Sequence, residues 1–210
     1  MTIFYHEQLY RSGEVMRRVN EQPVTVCGAG ALGANITESL ARSGFSKLRV
    51  IDRDRVEERN LSTQPFYRAD IGAHKAKILA NSLYRAVGAA VDARAVELRI
   101  DNARKLLDGL VVDAFDNSAS RGAVKAACEE AKLPCVHVGL ANGYAEVIWN
   151  ESYRVPSDAQ DDICDYPLAR NLVMLTAAVA CEVITAYVAT GQRDSYTITL
   201  GDFAVRRFGV

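Results

Sequence analysis

Val24-Thr25-Val26-Cys27-Gly28-Ala29-Gly30-Ala31-Leu32-Gly33 opens the stretch that decides the fold, and Lys47-Leu48-Arg49-Val50-Ile51-Asp52 closes it. The first four residues are short, apolar and largely β-branched, as a buried parallel strand requires. The glycines follow at GxGxxG spacing. Such glycines allow a tight turn, close approach of the backbone to a phosphate and close packing of helix on strand. Ile36, Leu40 and Ala41 then share one helical face. Leu48, Val50 and Ile51 supply a second strand ending in Asp52, about 20 residues past the glycines, where a ribose-binding acid is expected. Strand, loop, helix, strand and acid together predict a nucleotide site built on Gly28, Gly30, Gly33 and Asp52. A glycine turn serving only tight packing is the alternative.

Working outward, the loop from Arg53 to Phe66 is long and charged for a connection in a compact domain, and loops of that kind are often functional. The helix that follows is expected over about 73–87, with Lys75 in its first turn. A cation is disfavoured there unless an anion lies near, so Lys75 reads as a phosphate ligand or else as a solvated lysine. A third strand is expected over 91–96 and a short helix over 103–107. The next strand, 110–115, leads to Asp116-Asn117-Ser118 and a helix running to about Lys132. Ligands of open parallel sheets sit outside the carboxyl ends of the strands, which sets Asp52 and Asp116 on one crevice. Asp116 has a second reading as a helix cap, with Ser118. Asp113, inside the strand, reads as the structural acid.

Cys135 to Leu140 and Gly143 to Trp149 read as two further strands, and 196–200 with 203–208 as a closing β-hairpin. The polar run 151–165 carries Asp158, Asp161, Asp162, Cys164 and Asp165. The apolar run that follows predicts a helix over about 168–190, and its Thr176, Glu182 and Thr185 mark it as a buried helix rather than a membrane span. Residues 4–19 predict one amphipathic helix, either a solvated surface element or a dimer arm. Together these give a doubly wound α/β fold, Rossmann-like, with a largely parallel sheet and an antiparallel edge. The whole of 1–210 reads as a single domain with an N-terminal helical arm (1–20) and a C-terminal hairpin (191–210).

The 210 residues are 49% hydrophobic with a net charge of −1, which supports a substantial core and argues against nucleic acid or an anionic membrane as partner. The five cysteines form no CxxC pair, so a zinc knuckle is not expected, and free thiols fit a reducing cytoplasm.

Gly28-Ala29-Gly30-Ala31-Leu32-Gly33, Asp52-Arg53-Asp54, Arg59-Asn60-Leu61-Ser62-Thr63-Gln64, Asp70 to Lys75, and Asp116-Asn117 with Arg121 occur in that order. This combination resembles the ThiF/MoeB/HesA superfamily, the adenylating fold of ubiquitin-activating enzymes. The loop after Asp54 and the Asp116-Asn117 pair separate it from dehydrogenases, which would use Asp52 but have no purpose for the Asn60 loop. The resemblance implies binding of ATP with Mg2+ and of a small β-grasp carrier protein ending in Gly-Gly. The carrier's terminal carboxylate would be joined to AMP. By matching position it implies that Asp52 holds the ribose, that Asn60 and Lys75 contact phosphates, and that Asp116 holds magnesium. Asp54, Arg59, Gln64 and Asn117 fall in the same motifs. It also implies a homodimer whose N-terminal helix reaches the neighbouring subunit.

Two departures stand out. Thr63 occupies a place where the family usually carries an arginine, and Glu7 occupies the place of an arginine on the N-terminal helix. Arg11, one turn beyond Glu7, is the leading substitute, and Arg59 the second. The lost arginines leave a non-catalytic partner subunit as the alternative function. Cys164 lies where some members carry a reactive cysteine, though an incidental thiol in a polar loop is the plainer reading.

Overall fold

The computed structural model describes residues 2–156 and 167–209. At the N-terminus the single expected helix is two: α1 (Tyr5–Arg11) and α2 (Gly13–Glu21). Ser12 separates them in the left-handed region, at φ 69°, and its hydroxyl accepts the Val15 N–H. That backbone angle breaks the hydrogen-bond ladder, and the hydroxyl then caps a new helix. Met16 and Val19 of α2 are buried, whereas α1 buries none of its residues.

The deciding stretch folds as β1 (Pro23–Cys27), α3 (Ala31–Arg42) and β2 (Lys47–Ile51). Next come α4 (Lys75–Val87), β3 (Asp92–Arg94), α5 (Ala103–Leu106), β4 (Leu110–Asp113) and α6 (Ser118–Ala131). The chain continues with β5 (Cys135–Ala141), β6 (Tyr144–Trp149), α7 (Arg170–Thr190), β7 (Tyr196–Thr199) and β8 (Ala204–Arg207). The strands form one sheet in the order β3-β2-β1-β4-β5-β6-β7-β8. The first five are parallel and the last three antiparallel. β3 is shorter than expected because it is an edge strand, paired only with Arg49 to Ile51 of β2.

Side chains of β1 alternate between two cores, as the pleat demands. Val24 and Val26 join α2, α3, α4 and α7 on one face. Cys27, with Ile51 and Val111, joins α5 and α6 on the other. α7 is long and apolar enough to cross a membrane by composition alone. Here Leu172, Val173, Ala177, Ala180 and Ile184 are buried in the core, and the Cys181 thiol reaches the Ile36 carbonyl of α3 at 3.7 Å.

The chain order reverses between β1 and β4, which opens a crevice at their carboxyl ends. The glycine turn lies in that crevice. Gly28 has φ +98°, and a Cβ there would stand 3.0 Å from the Ala114 carbonyl oxygen beyond β4. A Cβ on Gly33 would stand 1.9 Å from the Gly28 carbonyl oxygen, whereas one on Gly30 would meet nothing within 4 Å. Gly28 and Gly33 thus serve packing, and Gly30 keeps the face of the turn open. Gly33→Ala is therefore expected to lower stability by at least about 2 kcal/mol through forced overlap. Gly30→Ala should stay within about 1 kcal/mol of wild type. Urea denaturation of the two variants checks the contrast.

Candidate active site

Asp52 follows β2 and is 6% exposed. Its Oδ2 accepts the Ala29 N–H at 2.5 Å, and its Oδ1 accepts the Asp54 N–H at 2.6 Å. One carboxylate therefore ties the glycine turn after β1 to the turn after β2. Burial raises its pKa above the usual carboxylate value, against the two backbone bonds and Lys75, which pull it down. Each oxygen keeps acceptor capacity for a hydroxyl donor. Gly30 caps α3 without a side-chain bond, and the first turn of α3 holds no acid. Backbone N–H groups and dipole at that end can receive an anion.

Lys75 is the first residue of α4, a helix that also lacks an acid in its first turn. It is 7% exposed. Its backbone N–H donates to the Asp54 carbonyl at 2.9 Å, and its Nζ lies 3.5 Å from Asp54 Oδ2. The loop between Asp54 and Lys75 contains a 3-10 turn, Glu58–Asn60, where Asn60 Oδ1 accepts the Glu57 N–H at 2.9 Å. Arg59 pairs with Glu57 at 2.6 Å. Gln64 is buried, and its Oε1 has no partner among the described residues. The loop is fastened to the helix after the glycines by Asn35, which donates to the carbonyls of Thr63 at 2.8 Å and Ala31 at 2.7 Å. Asn35 escaped the sequence reading. Its signal was a polar residue on the buried face of α3.

Asp116 lies past β4 and is exposed. The cap of α6 is Asn117, whose Oδ1 accepts the Ser120 N–H at 2.8 Å. This corrects the alternative reading of Asp116 as that cap, and it gives Asn117 a structural job for its carbonyl oxygen. Asp116 makes no ion pair among the described residues, where no group of three or more His, Cys, Asp or Glu is placed to hold a metal ion. A hard cation such as Mg2+ accepts one carboxylate with waters and phosphate oxygens, so Asp116 fits that role.

Beneath Asp116 lies a buried polar network that the sequence did not announce. Asp113 and His137 are fully buried, with Oδ2 to Nδ1 at 2.8 Å, and Asp113 Oδ1 accepts the Phe115 N–H at 3.2 Å. His137 Nε2 meets Asn150 Oδ1 at 2.6 Å, and the Tyr153 ring stacks on the imidazole at 3.7 Å. Arg121 donates to the Tyr153 hydroxyl and the Val138 carbonyl, each at 2.9 Å. Burial alone would lower the pKa of Arg121, but Asp113 and Tyr153 outweigh it and hold the guanidinium charged. Arg121 thus belongs to the support of the crevice.

Arg11 does not join the site of its own chain. Its guanidinium is bound by Glu7 at 2.7 Å and by Glu182 of α7 at 2.6 Å, and its hydrogen bond holds the Glu182 carboxyl below its ordinary pKa. Cys27, Cys128, Cys135 and Cys181 are buried thiols, and burial pushes Cys181 up to about 12. Cys164 and its neighbouring aspartates lie outside the described residues.

The crevice thus gathers a glycine turn, a buried acid, a buried lysine and an exposed carboxylate at the carboxyl ends of the strands. Comparison with known proteins agrees with that arrangement: residues 5–196 match the ThiF family. The chain belongs to the ThiF family. It is 36% identical over 125 residues to the SAMP-activating enzyme E1 of Haloferax volcanii, covering 57% of this chain and 46% of that protein. It is 35% identical over 125 residues to the sulfur carrier protein adenylyltransferase of Thermus thermophilus, covering 56% of this chain and 46% of that one. This ThiF-family chain therefore spans about half the length of the curated relatives it matches. Among solved structures, E. coli MccB with ATP superposes with a TM-score of 0.82, covering 99% of this chain and 71% of that one. At 18% identity that likeness is one of fold.

The two acids after β4 should behave oppositely. Asp113→Asn removes the charge that Arg121 and His137 face, and is expected to lower stability by about 3 kcal/mol. Asp116→Asn should change it by no more than about 0.5 kcal/mol, being exposed and outside the network. Chemical denaturation of both variants at neutral pH tests the difference.

Proposed function

We propose that this chain adenylates a carboxylate: the C-terminal glycine of a small ubiquitin-like or sulfur-carrier protein, using ATP with Mg2+. The observation that carries the reading is Lys75, a buried cation at a helix start, joined through Asp54 to Asp52 and the glycine turn. A dinucleotide with a hydride to transfer would use Asp52 but would need neither the buried lysine nor the Asn60 loop. A triphosphate needs both. Family membership and the names of the relatives support the same choice.

In the reaction, a carboxylate oxygen of the carrier forms a bond to the α-phosphorus of ATP. The bond from that phosphorus to the bridging oxygen breaks, and pyrophosphate leaves with the electron pair. Asp52 holds the ribose hydroxyls at the head of the turn. The N–H groups around Gly30 and the start of α3 receive phosphate oxygens, helped by the helix dipole. Lys75 Nζ turns from Asp54 to the phosphates, and Asn60 offers its amide N–H groups. Asp116, together with water, would hold magnesium, which would supply charge neutralisation on the phosphates. Catalysis of this kind is positioning plus charge stabilisation, and no protein nucleophile takes part. A homodimer would extend the site with a second chain's N-terminal helices. The replacement of arginine by Glu7 and Thr63 favours a second reading, a partner subunit that binds nucleotide without turnover.

ATP with magnesium should raise the melting temperature more than NAD does, because a ligand held at a hundred times its Kd stabilises by about 2.7 kcal/mol. With a carrier ending in Gly-Gly, the wild type should exchange pyrophosphate into ATP. Asp116→Asn should reduce that exchange at least about a hundredfold, or some 2.7 kcal/mol of transition-state stabilisation. Greater stabilisation by NAD would overturn the reading. ATP binding with no exchange for any such carrier would favour the partner subunit.

A further inference from the structure

We propose that Arg170, the first residue of α7, binds the phosphates of ATP furthest from the ribose. The inference rests on the adenylation reading above and adds a residue to it. Arg170 Nη1 donates to the Ser62 carbonyl at 3.2 Å. Ser62 precedes Thr63, whose carbonyl is held by Asn35, and Asn35 also bonds Ala31 at the start of α3. The guanidinium is therefore anchored on the loop that flanks the glycine turn. The start of α7 lies at the same sheet edge as the crevice, since Leu168 bridges to Asn142 just past the carboxyl end of β5.

Charge and helix position both call for an anion there. The crevice holds the carboxylates of Asp52, Asp54 and Asp116, and Lys75 leans on Asp54. A polyphosphate entering among these groups, even with one magnesium, adds more negative charge than Lys75 offsets. Arg170 is exposed, and its other nitrogens make no contact among the described residues. It stands at the N-terminus of a 21-residue helix that has no side-chain cap and no acid in its first turn. A cation is unfavourable at that position without an anion beside it. With one, the planar guanidinium still has donors for two phosphate oxygens, which a lysine cannot match.

The geometry also separates Arg170 from the cation sought on the N-terminal arm. Arg11 is held by Glu182, which lies more than three turns further along α7, about 18 Å from its first residue. Asp52 fixes the ribose end at the glycine turn. A cation on the loop beyond Asn60 then serves the distal phosphates.

The test is calorimetric titration of the full chain with ATP and AMP, both with magnesium, and with NAD, in wild type, Arg170→Gln, Arg170→Lys and Lys75→Gln. Arg170→Gln should weaken ATP at least about tenfold and leave AMP within about twofold, with Arg170→Lys between wild type and Arg170→Gln. Its melting temperature without nucleotide should match wild type. Equal weakening of ATP and AMP would reduce Arg170 to a loop support and overturn the proposal. An unchanged ATP affinity would overturn it too. If Lys75→Gln loses ATP while Arg170→Gln does not, the adenylation reading stands and Arg170 falls. If wild type prefers neither ATP to AMP nor ATP to NAD, both fail together.

Discussion

The carboxylate of Asp52 is the contact on which the crevice depends. Its two oxygens accept the N–H groups of Ala29 and Asp54 and so clamp together the turns after two neighbouring strands. Asp54 in turn fixes where α4 begins, through its carbonyl bond to the Lys75 N–H. A single buried acid therefore sets the glycine turn, the start of α4 and the approach of the lysine ammonium. Burial works against its ionisation, and two backbone donors with one lysine offset only part of that penalty. The same arrangement leaves lone pairs on both oxygens for further hydroxyl donors.

A second buried acid plays the matching part on the other side of the switch point. Asp113, His137, Asn150 and Tyr153 link the ends of β4 and β5 to the chain after β6, and Arg121 draws α6 into the same group. Unmet, each of these polar groups would cost about 1–3 kcal/mol in the interior. Met together, they fix where the chain turns into α6. Asp116 stands at that turn, exposed to solvent beside a buried network whose polar groups are met.

Local chemistry made much of this legible in the sequence. The glycine spacing, the β-branched runs and Asp52 specify the order of strand, turn and helix with little help from distant residues. The apolar run interrupted by Thr176, Glu182 and Thr185 marked α7 as a buried helix, and its buried positions recur at helical spacing. What could not be read was set by contacts far along the chain. The break at Ser12 depends on α2 burying Met16 and Val19, and serine itself signals no left-handed turn. Asn117 rather than Asp116 caps α6, a choice between two adjacent residues that both cap well. His137 looked like any residue of a buried strand, and Asn35 like any polar residue in a helix. Arg11 was expected to stand in for the arginine replaced by Glu7 because it lies one turn further on the same helical face, and within its own chain it is paired. Glu182, 171 positions away, already holds it.

Three of the helix starts around the crevice share one further feature. α3, α4 and α7 begin without an acid in the first turn and without a side-chain cap, and α4 and α7 place a cation at their first residue. Folding alone would favour the reverse, since acids at helix starts stabilise by about 0.3–1 kcal/mol each. The three helices also carry ordinary signals for stability at their other ends: Arg42 and Arg85 lie in the last turns of α3 and α4, while Gly88 and Gly191 end α4 and α7 in the left-handed conformation. Local optimisation is thus present at the far ends of these three helices and absent at their starts, whereas α6, which begins beside Asp116, is capped by Asn117. An empty crevice of this kind is less stable than its sequence could make it, and an anion with several charges restores what the missing acids would have given. Binding energy drawn from that difference grows with the charge of the ligand, which favours a triphosphate over a monophosphate.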